Sequence, residues 1–461
     1  MKNVEFCILH SSFCIDVRAY LDILRLVWPL ALGMVNNAVL QFVDRAFLAH
    51  ESMASLEAAL PASILSFNVL GFFHSVIAYS GTFVAQYHGA GDACMARQSF
   101  RAGTLLAIAF GAVSLLFVPA GSALLAHFTA NTDVLTRELS YYRIVTAGGV
   151  FLFLQMAAAA YFTGLGRTRI VFWVNVLGNL FNAAIDPILI FGLFGCPRFG
   201  IAGAAYATVA AMALQYVALA VCAMRTPEAK SAARVPARTF LSLVGRILRF
   251  GVPSGAYTVL NILSFTIFVF VTGRVGDVAF AVSNACFSVN YLLFAPMEGF
   301  SLGAATLVGQ AQGRGDPDAA HVAALRTLKL GLACVATLSL TAVALHQPIL
   351  KLFAPTDDAA ASAEFLSLGR TLFLWMAAWQ VFDAADIIIS GALKGAGDTK
   401  FVFWWMLIVA FGLWLPIVGV VAYFGGSMSA LWGTMVVYVV VICVGEIIRW
   451  RRGAWRHIRL V

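Results

Sequence analysis

Long apolar stretches alternate with short polar connections along the whole chain. Twelve stretches reach the roughly 20 residues that a membrane span requires: near Leu24–Asp44, Leu60–Val84, Gly103–His127, Tyr142–Thr163, Val171–Phe191, Ala202–Met224, Phe250–Thr272, Ala279–Gly303, Leu328–His346, Leu366–Leu393, Phe401–Tyr423 and Ala430–Ile448. Backbone groups in hydrocarbon must be satisfied internally, and runs this long do so as helices rather than barrel strands. A second pattern is superimposed. Gly164–Trp173, GLGRTRIVFW, returns at Gly395–Trp404 as GAGDTKFVFW. Pro29 is answered by Pro253, and Gln86 with Gly89-Ala90-Gly91-Asp92 by Gln310 with Gly313-Arg314-Gly315-Asp316. The chain is therefore expected to be an all-α integral membrane protein of twelve transmembrane helices in two homologous six-helix lobes. The predicted division is an N-terminal segment 1–21, a first lobe 22–225, a linker 226–249, a second lobe 250–448 and a basic tail 449–461. Internal repeats of this kind are a common plan of secondary transporters.

Composition supports the membrane class. Hydrophobic residues make up 61% of the chain and charged residues 11%, against roughly 45–50% and about 25% in a soluble domain. Of the 30 Lys and Arg residues, most fall in the two termini and the connections after helices 2, 4, 6, 8 and 10. That bias predicts an inner (plasma) membrane protein with both termini cytoplasmic. The net charge of +8 is spread along membrane edges, so no nucleic-acid partner is expected. The cluster Trp450–Arg459 is expected to anchor helix 12 at the anionic inner leaflet, with membrane lipids as partners. No signal peptide is expected before helix 1. The eight Cys are scattered and read as small hydrophobes, with no metal site and no cofactor. A monomer is expected.

Candidate chemistry lies in acids within the apolar spans: Asp44, Asp186, Glu298, Asp383 and Asp386. Lys and Arg near them are read as confined to helix ends. An ionisable group in the bilayer costs at least about 2.5–3.5 kcal/mol on insertion scales, so it must face protein or water. Acids without intramembrane bases need a proton or a metal cation. On helix 5, Asn175, Asn179, Asn182 and Asp186 are spaced so that they share an arc of roughly 60°. Such a stripe lines a cavity or glues helices together. Asp44 and Asp186 both lie in the outer half, where they could meet. Their counterparts in the second half are Phe268 and Leu415. Asp383 and Asp386 share a face of helix 10. Helical prolines, among them Pro29, Pro187 and Pro253, free backbone carbonyls and permit bending, so they are candidate hinges.

Several segments together resemble the multidrug and toxic compound extrusion (MATE) transporters: Pro29–Asp44, Gly309-Gln310 to Gly315-Asp316, Asn182-Ala183-Ala184-Ile185-Asp186, Gly203-Ala204-Ala205-Tyr206-Ala207-Thr208 and Ser390-Gly391-Ala392-Leu393-Lys394-Gly395-Ala396-Gly397-Asp398-Thr399. The resemblance runs from about residue 22 to 448. It implies two lobes in a V shape, alternating access, and export of small amphipathic, often cationic organic compounds in exchange for inward H⁺ or Na⁺. It places the cation site of one branch at Asp44, Asn182, Asp186 and Thr208. The branch like DNA-damage-inducible proteins is the expected one. In the other branch a Glu on helix 7 and an Asp on helix 10 serve the second lobe. The helix 10 position matches Asp383, but the helix 7 position is Asn261 here. Asn37, Asn175, Asn179, Asn261, Glu298, Asp383 and Asp386 are expected to line the cavity, with Na⁺ a possible occupant at Asp44, Asn182 and Asp186. A lipid or oligosaccharide flippase of the same superfamily is the nearest alternative. A membrane prenyltransferase using Asp383 and Asp386 on Mg²⁺-diphosphate is a remote one, and the chain is not expected to be an enzyme.

Overall fold

The computed structural model describes residues 17–230, 235–354 and 359–461. Most of the predicted N-terminal segment, and Ser231-Ala232-Ala233 of the predicted linker, lie outside them. Among the described residues, ten helices are long and apolar enough to span a membrane, or twelve when two bent pairs each count as one span. In chain order the first lobe contains α1 (Arg18–Glu51), α2 (Met53–Gly89), α3 (Ala93–Ser114 with Phe117–Phe128), α4 (Thr132–Ala147 with Gly149–Gly164), α5 (Thr168–Phe191) and α6 (Ile201–Met224). The second contains α7 (Ala237–Thr272), α8 (Asp277–Gly313), α9 (Pro317–Ala344), α10 (Ala361–Ala396), α11 (Thr399–Tyr423) and α12 (Met428–Arg452).

The bends have local causes. The two halves of α3 meet at 44°, where Pro119 follows the break and cannot donate into the preceding turn. Those of α4 meet at 43° at Gly148, where a side chain would drive into Val209 of α6. Within α11, Ile408–Trp414 forms a π-helical turn just ahead of Pro416. A π turn accommodates a backbone group left without its ordinary partner. Pro29, Pro187 and Pro253 all sit inside continuous helix. The predicted linker is shorter than the sequence suggests, because α7 begins at Ala237. Its first turns carry Arg238, Arg246 and Arg249, so hydropathy alone excludes them, yet Arg246 lies over the Phe83 ring at 5.5 Å.

Each lobe has its own core. Phe83, Phe153, Tyr161 and Phe162 are among the fully buried residues of the first, and Phe268, Met376, Trp414 and Trp432 of the second. The lobes meet at the face that carries the basic connections, and glycines bring the backbones together there. A methyl group on Gly89 would overlap the Gln310 carbonyl, and one on Gly313 the Gln86 carbonyl. Gly299 and Gly303 of α8 lie against Ala31 and Val27 of α1 in the same way. Gln86 Nε2 donates to the Gly395 carbonyl at 3.0 Å, and Gln310 Nε2 to the Gly164 carbonyl at 2.9 Å. These are equivalent residues of the two repeats. Toward the opposite face, large side chains of α1, α2 and α7 stand free, with Phe42 76%, Phe67 55% and Phe270 75% exposed. The lobes therefore form a V that is closed at the basic face.

Trp450 and Trp455 stack on each other at 4.1 Å, and both are buried. Trp450 Nε1 bonds His321 Nδ1 at 3.0 Å, and Arg456 pairs with Asp318 at 2.9 Å. The tryptophans pack within the second lobe, while Arg451, Arg452, Arg456, His457 and Arg459 are the exposed part of the cluster.

The clasp gives a direct expectation. Gly89→Ala or Gly313→Ala should destabilise the closed end by about 1–3 kcal/mol, the usual cost of overpacking, read as a lower melting temperature in detergent. Gly245→Ala, on α7 with open space around it, is the matched control. Equal effects of all three would show that the close approach carries no strain.

Candidate cation site

The polar stripe of α5 serves two purposes along its length. Asn175 accepts from Gln155 of α4 at 3.3 Å. Asn179 donates to Asn37 of α1 at 2.9 Å and accepts from Gln215 of α6 at 3.3 Å. These amides join α5 to three neighbouring helices, as interhelical glue does. Gln155 and Gln215 complete the network; Gln215 lies two turns beyond Thr208 on the same face of α6, a period that marks it.

The outer end of the stripe is different. Asn182, with its amide in the orientation that satisfies both ends, donates to Asp44 Oδ1 at 3.1 Å and accepts from the Thr208 backbone N–H at 3.1 Å. The carboxyls of Asp44 and Asp186 meet within hydrogen-bonding contact. Asp186 is fully buried, and its Oδ1 has no other partner. Asp44 is half-buried, while its neighbour Arg45 is exposed. Two carboxylates in contact repel unless a proton or cation lies between them. Thr208 takes part through its backbone; its hydroxyl is committed to the Ala204 carbonyl at 2.9 Å.

The predicted second-lobe residues do not form one equivalent site. Asp383 and Glu298 are half-buried and close enough to interact electrostatically. Asp386, one turn on, is buried and faces Glu446 of α12 instead. Asn261 lies beside Tyr438 of α12. The sequence reading of these acids as remote from any base needs correction. Lys394, in the last turn of α10, interacts with Glu298, Glu446 and Asp386, and its Nζ lies 3.8 Å from the Tyr257 ring centroid. Helical side chains lean toward the N-terminus of their helix, so Lys394 reaches back into the membrane. Lys394 and Glu446 were not foreseen as site residues because each lies at the end of an apolar stretch. Their signal was helical phase: Lys394 is eleven residues beyond Asp383, hence within about 20° of it around α10.

Comparison with known proteins places this architecture. The MatE family model matches residues 29–188 and 253–420, once in each lobe. The chain is 26% identical over 413 residues to a probable multidrug resistance protein NorM of Bradyrhizobium diazoefficiens, covering 88% of this chain and 87% of that one. It is 23% identical over 400 residues to the multidrug resistance protein MdtK of Edwardsiella ictaluri, covering 86% of each. Among solved structures, an outward-facing multidrug resistance MATE family transporter of the MOP superfamily superposes with a TM-score of 0.84 at 18% identity, over 95% of this chain and 97% of that one. A MOP superfamily transporter from Pyrococcus furiosus, described as having a binding pocket of reversed polarity, gives 0.83 at 18% identity, with the same coverage. With the family model matched in both halves, on two lobes of the same fold, the chain belongs to the MatE family of membrane transporters.

Proposed function

We propose that this protein is a proton-coupled antiporter that exports amphipathic organic cations from the cytoplasm. The observation that carries the proposal is the contact of Asp44 and Asp186 across α1 and α5. A single proton relieves the repulsion of that pair, and its loss restores it. The surroundings favour a proton over Na⁺. A hard metal cation draws on several oxygen ligands at once, but the Asn182 amide is engaged at both ends and the Thr208 hydroxyl is turned to its own helix. The export class draws on the names of the relatives, which are multidrug resistance proteins. The charge bias of the connections supports a cytoplasmic basic face, so the V opens outward.

The cycle then follows from charge. A proton arriving from outside reaches half-buried Asp44 and is shared with buried Asp186. Neutralising the pair removes the electrostatic hold on a cationic substrate in the cleft and lets α1 and α5 pack more closely. Pro29 and Pro187 are the positions at which these helices can change their bend. The lobes then exchange their closed end, and the proton leaves to the cytoplasm.

Asp186→Asn should keep the fold but cut pH-gradient-driven efflux by roughly 5–150-fold, the range of a typical coupling free energy. An amide keeps the shape of the site yet cannot exchange a proton. Full gradient-driven efflux in this variant would sink the assignment.

Asp44 and Asp186 should act as one unit. The double Asn variant is expected to lose no more transport than the worse single variant, whereas independent sites give additive losses.

Asp383→Asn should alter apparent substrate affinity while leaving energised export measurable. At equal expression, a dead Asp383→Asn variant beside an active Asp186→Asn variant would move the coupling site to the second lobe.

A further inference from the structure

The second lobe holds buried charge that the first-lobe site does not use. Glu446 of α12 is fully buried, and neither carboxylate oxygen has a hydrogen-bond partner besides the acid opposite. That acid is Asp386 of α10, itself buried, with Oδ1 otherwise unpartnered. The two carboxyls are in hydrogen-bonding contact. An unsatisfied buried carboxylate is among the most costly groups in a protein interior, and two that touch cannot both stay ionised and unbridged.

Other charges facing this pair are few. From α10 come Asp383 and Lys394, and from α8 Glu298. Asp398, at the start of α11, interacts with Glu446 and is itself held by Arg449 at 2.7 Å. Tyr257 of α7, with Tyr438 and Cys443 of α12, supplies the remaining titratable groups nearby. Among the described residues, Lys394 is the one ammonium against Glu298, Asp386 and Glu446, so it leaves carboxyl charge over. A metal cation would meet that ammonium at close range, whereas a proton between Asp386 and Glu446 adds no such conflict.

The location gives the pair a means of acting on the lobes. The Lys394 carbonyl accepts from Tyr79 Oη at 3.0 Å, and the next carbonyl, Gly395, accepts from Gln86 at 3.0 Å. Tyr79 and Gln86 belong to the first lobe. The residue whose ammonium answers the carboxyl pair therefore supplies a backbone contact of the closed end.

We propose that Asp386 and Glu446 form a second proton-binding site, balanced by Lys394, that couples proton occupancy of the second lobe to closure of the lobes at the basic face. This site is distinct from Asp383 and from the helix 7 position occupied by Asn261. When the shared proton leaves, two carboxylates draw on Lys394, shifting the end of α10 on which Tyr79 and Gln86 close. Its coupling role rests on the antiport reading above; the occupancy of the pair does not.

The test is infrared difference spectroscopy of the purified full-length protein in lipid, titrated between acid and alkaline pH. Wild type should show a carboxylic-acid C=O band that is lost in Glu446→Gln and equally lost in Asp386→Asn, while Asp186→Asn removes a different band. Glu446→Gln should also lower the number of protons moved per substrate in proteoliposomes. A spectrum unchanged by either substitution, or separate bands lost in Glu446→Gln and Asp386→Asn, would overturn the shared site. If Glu446→Gln does not fold, an unchanged band in Asp386→Asn overturns it alone. If the C=O bands behave as expected but wild type shows no proton-driven transport, the antiport reading fails while the site stands.

Discussion

The contact between Asp44 and Asp186 is the constraint from which the proposed mechanism follows. Both acids lie within membrane-spanning helices, and Asp186 Oδ1 is buried without a hydrogen-bond partner. Among the described residues, Arg45 acts electrostatically on Asp44 from an exposed position, and Asp186 itself is buried. A buried pair of this kind is stable in one protonation state and strained in the other. The amide network below it, from Asn182 through Asn179 to Asn175, fixes α5 against α1, α4 and α6. A change of charge at the top of the stripe is thus delivered to a rigid group of helices rather than lost in a flexible loop.

The second constraint is the close approach of the lobes at the basic face. Gln86 with Gly89 and Gln310 with Gly313 are equivalent residues of the two repeats, and each glycine makes room for the other repeat's glutamine backbone. The arrangement depends on glycine because any Cβ would enter the facing carbonyl. Packed contacts of this type tend to be formed or broken rather than stretched. That property suits an element that alternates between two arrangements. In the proposed mechanism, the first-lobe pair senses the outer solution, and the end of α10 carries occupancy of the second lobe to this closure.

Much of the architecture was legible in the sequence, for physical reasons that also mark the limits. Hydropathy located the spans, because a membrane helix must be apolar over a fixed length. The repeat announced the lobes, because Gly164–Trp173 and Gly395–Trp404 occupy equivalent turns. The helix 5 stripe was readable from its spacing, and the structure brings Asp44, Asn182 and Asp186 together. What hydropathy could not show was where long polar side chains go. Lys394 and Glu446 lie at the ends of apolar runs, yet both point back into the lobe. Arg246 marks a helical start of α7 that polarity disguised as linker. The stacking of Trp450 on Trp455 inside the lobe has no mark in the hydropathy of the basic cluster that holds them. The V is likewise absent from any local pattern, since it depends on contacts between residues more than 200 positions apart, such as Gln86 and Gln310.

The most direct test of the central claim is substrate transport by purified protein in proteoliposomes, with a pH gradient and a Na⁺ gradient imposed one at a time. The account predicts that an inward proton gradient drives export at equal Na⁺ on both sides, and that a Na⁺ gradient at equal pH does not. Transport driven by the Na⁺ gradient alone, with no response to pH, would contradict it.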